Sequence, residues 1–209
     1  LLVAPGILWL IIFFVIPIAT LAKTSVTIAH GPWWDAYGHA LGDYHVHFLR
    51  SFRYAITATL MALALGYPLA YVIAFRGGRL KNLLLGLVIL PFFTTFLVRT
   101  FAWKTILNDN GPAVWLLRQV HLISADGRLL DTTLAVLGGL TYNFVPFMIL
   151  PIYVSLEKID RRLVEAAEDL YCSPMRAFFK VVLPLSLPGV FAGSLLTFIP
   201  ATGDFINAQ

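Results

Sequence analysis

The 209-residue chain is 59% hydrophobic and only 12% charged, with a mean hydropathy of +0.81. Soluble domains carry about 25% charged residues, so most of this chain needs no water-facing surface. The net charge of +4 comes without a basic stripe interleaved with aromatics, so nucleic acid is excluded as a partner, and one cysteine, Cys172, excludes a disulfide framework or a cysteine-based metal site.

The composition predicts an all-α integral membrane protein, organised as a single transmembrane domain over 1–209. About 20 apolar residues cross a bilayer core as a helix. The first such run covers about 1–22 and holds Pro5 and Pro17. It is long for a signal-peptide core and no small-residue cleavage site follows it, so it is read as a span. From Lys23 to about Phe52 the composition is mixed and a loop is expected, with Gly31, Pro32, Trp33 and Trp34 as an interfacial aromatic anchor. Asp43, His45 and His47 invite a metal reading. A solvated loop fits better, because zinc wants a further ligand in fixed geometry.

The second span is expected at 53–75, with a kink at Gly66-Tyr67-Pro68. A short loop with Arg76, Arg79 and Lys81 follows, and such a loop belongs inside. The third span, 83–103, is broken by Pro91 and carries Thr94, Thr95 and Arg99; Arg99 either lines a pathway or, the favoured reading, lies near the outer end with its guanidinium reaching the interface. After an outside loop with an amphipathic piece at Ala113–Val120 comes the fourth span, 134–153; the fifth covers 188–205.

Between spans four and five lies a polar interruption, and two short helices are expected within 157–183. Leu163, Ala166, Ala167 and Leu170 fall on one helical face; Met175, Phe178, Phe179 and Val182 repeat the spacing after Ser173-Pro174. Asp160 is the expected N-cap of the first helix and Ser173 of the second, with Pro174 at its first position. With the start inside, the loops at 76–81 and 157–180 hold eight of the 15 Lys and Arg residues. That supports this orientation without fixing it. No phosphate-binding loop or nucleophile elbow is present, so any ATP-driven energy must come from a partner.

This interruption resembles the cytoplasmic signature of ATP-binding-cassette importer permeases: E-A-A, three residues, G, nine residues, I-x-L-P. Glu165-Ala166-Ala167 and Leu183-Pro184 stand in register, Val181 replaces the isoleucine, and Tyr171 stands where the family has glycine. A turn glycine there commonly has positive φ. A left-handed Tyr171 would be strained by about 1–2 kcal/mol, so either the turn is built differently or Cys172 takes part of the change; the helix-turn-helix itself is expected to persist. The segments at 90–103, 145–160 and 198–205 are similar to the spermidine/putrescine, or polyamine, subgroup.

The resemblance implies a type I importer permease fold with a sixth span beyond the five visible here. It implies a non-enzymatic subunit without a cofactor of its own, ATP and Mg being bound by a partner ATPase. The implied partners are a second permease subunit, two copies of a cytoplasmic ATPase, an extracytoplasmic substrate-binding protein and membrane lipid. The implied setting is the bacterial inner membrane, with the N-terminus and the signature loop cytoplasmic. The ATPase-coupling set would be Leu163, Glu165, Ala166, Ala167, Leu170, Tyr171, Ser173, Leu183 and Pro184. Polyamines are flexible polycations, so their pathway should offer carboxylates and aromatic faces. Asp204 either faces that pathway or caps the outer end of the fifth span. Tyr142, Asn143, Thr94, Thr95, Phe92, Phe93 and Trp103 are the other candidate wall residues. The same architecture with another solute, a proton-coupled secondary transporter relying on Asp204, and a membrane enzyme built on His45 and His47 are the competing readings.

Overall fold

The computed structural model describes residues 3–27, 34–120, 124, 127–130 and 132–204, without the side chains of 35 and 36. Residues 31–33 of the expected aromatic anchor and Phe205 of the expected fifth span lie outside the described residues. The described residues are helical throughout their regular structure, with no strand among them.

Helix α1 (Ala4–Thr27) carries a π-turn at Ile11–Val15 and buries none of its apolar window. Helix α2 (Asp35–Tyr71) runs on through a π-turn at Val72–Arg76. The expected loop before residue 53 is therefore corrected: it is helix from Asp35 onward, held by local backbone bonding that needs no buried face. Asp43, His45 and His47 are exposed on that helix, and His45 Nδ1 lies 2.7 Å from the Gly42 carbonyl. No group of three or more potential ligands gathers among the described residues.

The chain divides into two compact units, Leu1–Arg50 and Ser51–Gln209. In the first, Ser25 Oγ and Tyr37 Oη lie 2.7 Å apart. In the second, α2 presents a row of small residues: Ala55, Ala58, Ala62, Ala70 and Ala74 are all buried, and Gly66 continues the row. Small residues at near-fourfold spacing let membrane helices approach where no hydrophobic effect drives them together. The row packs on helix α6 (Thr133–Glu157), whose Met148, Ile149, Ile152 and Leu156 form the main core with Val182.

The stretch expected as a third span broken by Pro91 is bent by 95°. Helix α3 (Lys81–Ile89) passes into a 3-10 turn, Leu90–Phe93; Thr94 and Thr95 are extended; helix α4 (Phe96–Leu107) then leads to helix α5 (Pro112–Gln119). The break follows from Pro91, which fits only the start of a helical turn, and two β-branched threonines that favour extended backbone.

After α6 come helix α7 (Arg161–Asp169) and helix α8 (Pro174–Thr202). The second expected loop helix is corrected here: it is the first part of α8, not a separate element. A π-turn at Phe178–Val182 shifts the carbonyl ladder just before Pro184, which has no N–H to give. The helix thus carries on through a proline that would otherwise end it. Helix α8 lies along α6, and Gly189 and Gly193 make the approach close. A Cβ on Gly189 would meet Ser155 Cβ at 2.5 Å and the Pro151 carbonyl at 2.6 Å; one on Gly193 would meet the Met148 carbonyl and Sδ at 3.0 Å.

Candidate functional site

The loop between α6 and α8 is built from its two caps. Asp160 accepts a hydrogen bond from the Arg162 amide at 3.0 Å, starting α7 as expected. At the other end, the Cys172 amide donates to the Ala167 carbonyl at 3.0 Å and the Tyr171 amide to the Glu168 carbonyl at 2.9 Å. These two bonds are the Schellman motif, which needs a left-handed residue between the helix and the exit. Tyr171 takes that conformation, with φ of 57°. The turn therefore keeps its shape despite losing the glycine. Ser173 stands at the N-cap of α8 but its side chain makes no cap bond; its carbonyl accepts from the Ala177 amide at 2.9 Å.

Two contacts hold this loop that the sequence did not announce. Arg161 Nη2 donates to the carbonyls of Ala74 at 3.4 Å and Phe75 at 3.5 Å, with its guanidinium 5.9 Å from the Phe75 ring centre. Lys81, at the start of α3, pairs with Glu157, at the end of α6, and lies 5.5 Å from the Tyr153 ring centre. Both cations meet helix C-terminal ends, where carbonyls carry negative partial charge. Charge spacing alone does not reveal either partner.

On α7 only Val164 turns toward the core. Leu163, Glu165, Ala166 and Leu170 are exposed and Ala167 is half-buried. Tyr171 is 96% exposed, Leu170 78% and Met175 67%. The apolar face read from the sequence is real, and it points away from this chain. Leu183 is half-buried and Pro184 exposed, both within α8. A groove of about 610 Å³, lined by Pro151, Ser155, Lys158, Leu163, Leu185 and Pro188 among others, opens beside α7.

The candidate wall residues divide into three groups. Phe92, Trp103, Tyr142 and Asn143 meet at the packing of the bent segment on α6. Phe92 stands edge-on to Phe147 at 4.8 Å, Trp103 stacks on Tyr142 at 5.7 Å, and Trp103 Nε1 donates to the Ala135 carbonyl at 3.0 Å. Asn143 is fully buried, its Nδ2 3.4 Å from Thr100 Oγ1. Phe93, Thr94 and Thr95 form an exposed corner at the break, Phe93 at 87% exposure. Asp204 lies just past the last helical residue of α8, half-buried and away from regular helix. That end is tied down by Ser51 Oγ, which donates to the Thr202 carbonyl at 2.6 Å. Arg99 departs from the expectation of an interfacial side chain: at 7% exposure it is buried between α4 and α6.

Comparison with known proteins adds to this geometry. Residues 63–208 match the family described as binding-protein-dependent transport system inner membrane component. The chain is 37% identical over 209 residues to the spermidine/putrescine transport system permease protein PotB of Haemophilus influenzae, covering 96% of this chain and 73% of that protein. The protein of the same name from Escherichia coli is 36% identical over 205 residues, covering 94% and 74%. The inner membrane ABC transporter permease protein YdcU of Escherichia coli is 34% identical over 175 residues, covering 77% and 55%.

Proposed function

Because the chain belongs to the family of binding-protein-dependent transport system inner membrane components, a multi-pass membrane subunit of an ATP-binding-cassette importer whose ATP hydrolysis lies in a separate subunit, we propose that it forms part of a translocation pathway for a polyamine such as spermidine or putrescine. The subgroup of the relatives supports the solute class. In this reading the loop from Asp160 to Ser173 faces the cytoplasm with the N-terminus, and it seats one of two copies of a cytoplasmic ATPase that binds ATP and Mg. A second permease subunit completes the pathway and an extracytoplasmic binding protein delivers the solute.

The observation that carries the docking role is the outward apolar face of α7, held on a capped frame. Leu163, Ala166 and Leu170 are left uncovered by their own chain, while Asp160, Arg161 and the turn at Tyr171 fix the helix from both ends. The face would be covered by the ATPase, with Ala166 and Ala167 allowing close approach and Glu165 setting register. On the pathway side, Asp204 supplies a carboxylate and the corner at Phe93, Thr94 and Thr95 supplies an aromatic face. Tyr142 and Trp103 form a stacked pair behind that corner; Phe92 and Asn143 support it.

The test uses the assembled transporter. Leu163→Asp and Leu170→Asp should leave the chain's amount in the membrane unchanged and lower ATPase recovery at least tenfold, because a buried unpaired carboxylate costs several kcal/mol at an interface. Normal recovery would remove the docking role. For the solute, ATP hydrolysis by the complex with its binding protein should rise with spermidine or putrescine; stimulation by a different solute alone would remove the polyamine assignment.

A further inference from the structure

Arg99 is a buried cation whose own chain leaves it half-served. Its guanidinium lies 5.6 Å from the ring centre of Phe92 and 5.9 Å from that of Phe96, so the two rings flank it from either side of the break. Only Nη1 is engaged, donating to the Asn143 carbonyl at 3.5 Å, the long limit of a hydrogen bond. Nε is buried with no acceptor, and Asn143 Oδ1 is likewise buried with no donor. Among the described residues the ion pairs are Lys81–Glu157 and Arg128–Asp109, and neither includes Arg99. Arginine does not shed its proton in proteins, so the charge stays. Two aromatic faces offset only part of what a charge loses on leaving water.

The geometry of what is engaged also says what is missing. With Nη1 committed to Asn143 and Nε enclosed by this chain, Nη2 is the nitrogen left for an acceptor from outside. It can meet a carboxylate end-on in a charge-assisted hydrogen bond. Around it, Phe93, Leu97, Val98 and Phe101 are 87%, 49%, 55% and 65% exposed, an apolar strip on the break and α4 that this chain does not cover. A polyamine has no carboxylate to offer.

We propose that Arg99 is an inter-subunit pairing site, its Nη2 receiving a carboxylate side chain of the second permease subunit as that subunit covers the strip. This rests on the reading that the chain works beside a second permease. The pairing would neutralise the buried charge only in the assembled transporter, and so favour the assembled state over the lone subunit.

The test is recovery of the second permease with a tagged copy of this chain from membranes, normalised to the amount of the chain present. Arg99→Met should leave that amount unchanged, since removing an uncompensated buried charge does not harm the subunit, and should lower recovery about tenfold or more, since it leaves the partner carboxylate unpaired. Arg99→Lys, which keeps the charge but loses the planar head held between the two rings, should fall between. Arg99→Glu should lose recovery and regain it with an Asp or Glu changed to Arg at one membrane-embedded position of the second subunit. Normal recovery with Arg99→Met overturns the proposal. So does failure of Arg99→Met and Arg99→Lys to accumulate, which would make Arg99 a support of its own chain. If Arg99→Met assembles normally but loses a thermal stabilisation that added glutamate gives the wild-type complex, the carboxylate is a solute's and the inter-subunit pairing is overturned. Absence of any second permease in the wild-type preparation would instead remove the two-permease reading itself.

Discussion

Arg161 reaches back 87 residues along the chain and donates to the carbonyl of Ala74, 3.4 Å away. The contact joins the first residue of α7 to the last turn of α2, where carbonyls have no intrahelical donor. It makes the position of the α7 loop depend on where α2 ends, although nothing in the local sequence of either segment requires it.

Arg161→Ala should therefore loosen the loop more than it destabilises the fold. Its hydrogen bonds are long and partly exposed, so the expected loss of stability is about 1 kcal/mol. Hydrogen exchange of the α7 amides should rise while that of α6 stays level. Equal protection of α7 in the variant and the wild type would remove the anchoring role.

Tyr171→Gly separates the backbone of the turn from its side chain. A non-glycine residue at φ of 57° carries about 1–2 kcal/mol of strain, and glycine's extra freedom in the unfolded chain returns about 0.5–1 kcal/mol of that. The variant should be about 0.5–1 kcal/mol more stable, read as a small rise in Tm in detergent. Because the ring is 96% exposed, no core packing is lost. The same variant should weaken ATPase recovery if the ring contacts that partner. A lower Tm would show that the side chain does more for the isolated fold than its exposure indicates.

Gly189→Ala places a methyl against Ser155 Cβ and the Pro151 carbonyl, at 2.5 and 2.6 Å. Helix α8 must shift off α6, at a cost of about 1–3 kcal/mol. Gly86→Ala is the control: nothing lies within 4 Å of its added Cβ, and in a helix interior it should gain about 0.5–1 kcal/mol. Thermal melts of the two variants should move in opposite directions.

These sites differ in how far they could be read in advance. The N-cap at Asp160 and the outward face of Leu163, Ala166 and Leu170 were legible, because a cap and a helical stripe are local patterns. The persistence of the turn was legible too, but its form was not: a differently built turn or a share taken by Cys172 was expected, and Tyr171 instead adopts the left-handed shape itself. The two-way division of the bent segment was half-legible: Pro91 was seen, but its pairing with Thr94 and Thr95 as a break was not. The continuity of α8 was hidden because a π-turn is a matter of hydrogen-bond register and leaves no composition signature. The alanine row on α2 and the Gly189–Gly193 spacing were present as small residues four apart, and counting apolar residues alone passes over them. Arg99 was misplaced because its depth was inferred from its distance to the end of the span, and a bend as large as 95° at the break invalidates that ruler.

Helix α8 leaves the loop at Pro174 and is sewn to α6 from Val182, clustered with Leu156, to Ala201, clustered with Leu137. Those 19 steps, at about 1.5 Å each, make a seam of roughly 28 Å. A seam that long gives the helix no single point to pivot on. A push delivered at the loop would therefore carry α8 and α6 together as one strut, with Ser51, bonded to the Thr202 carbonyl, the first residue of α2 to feel it.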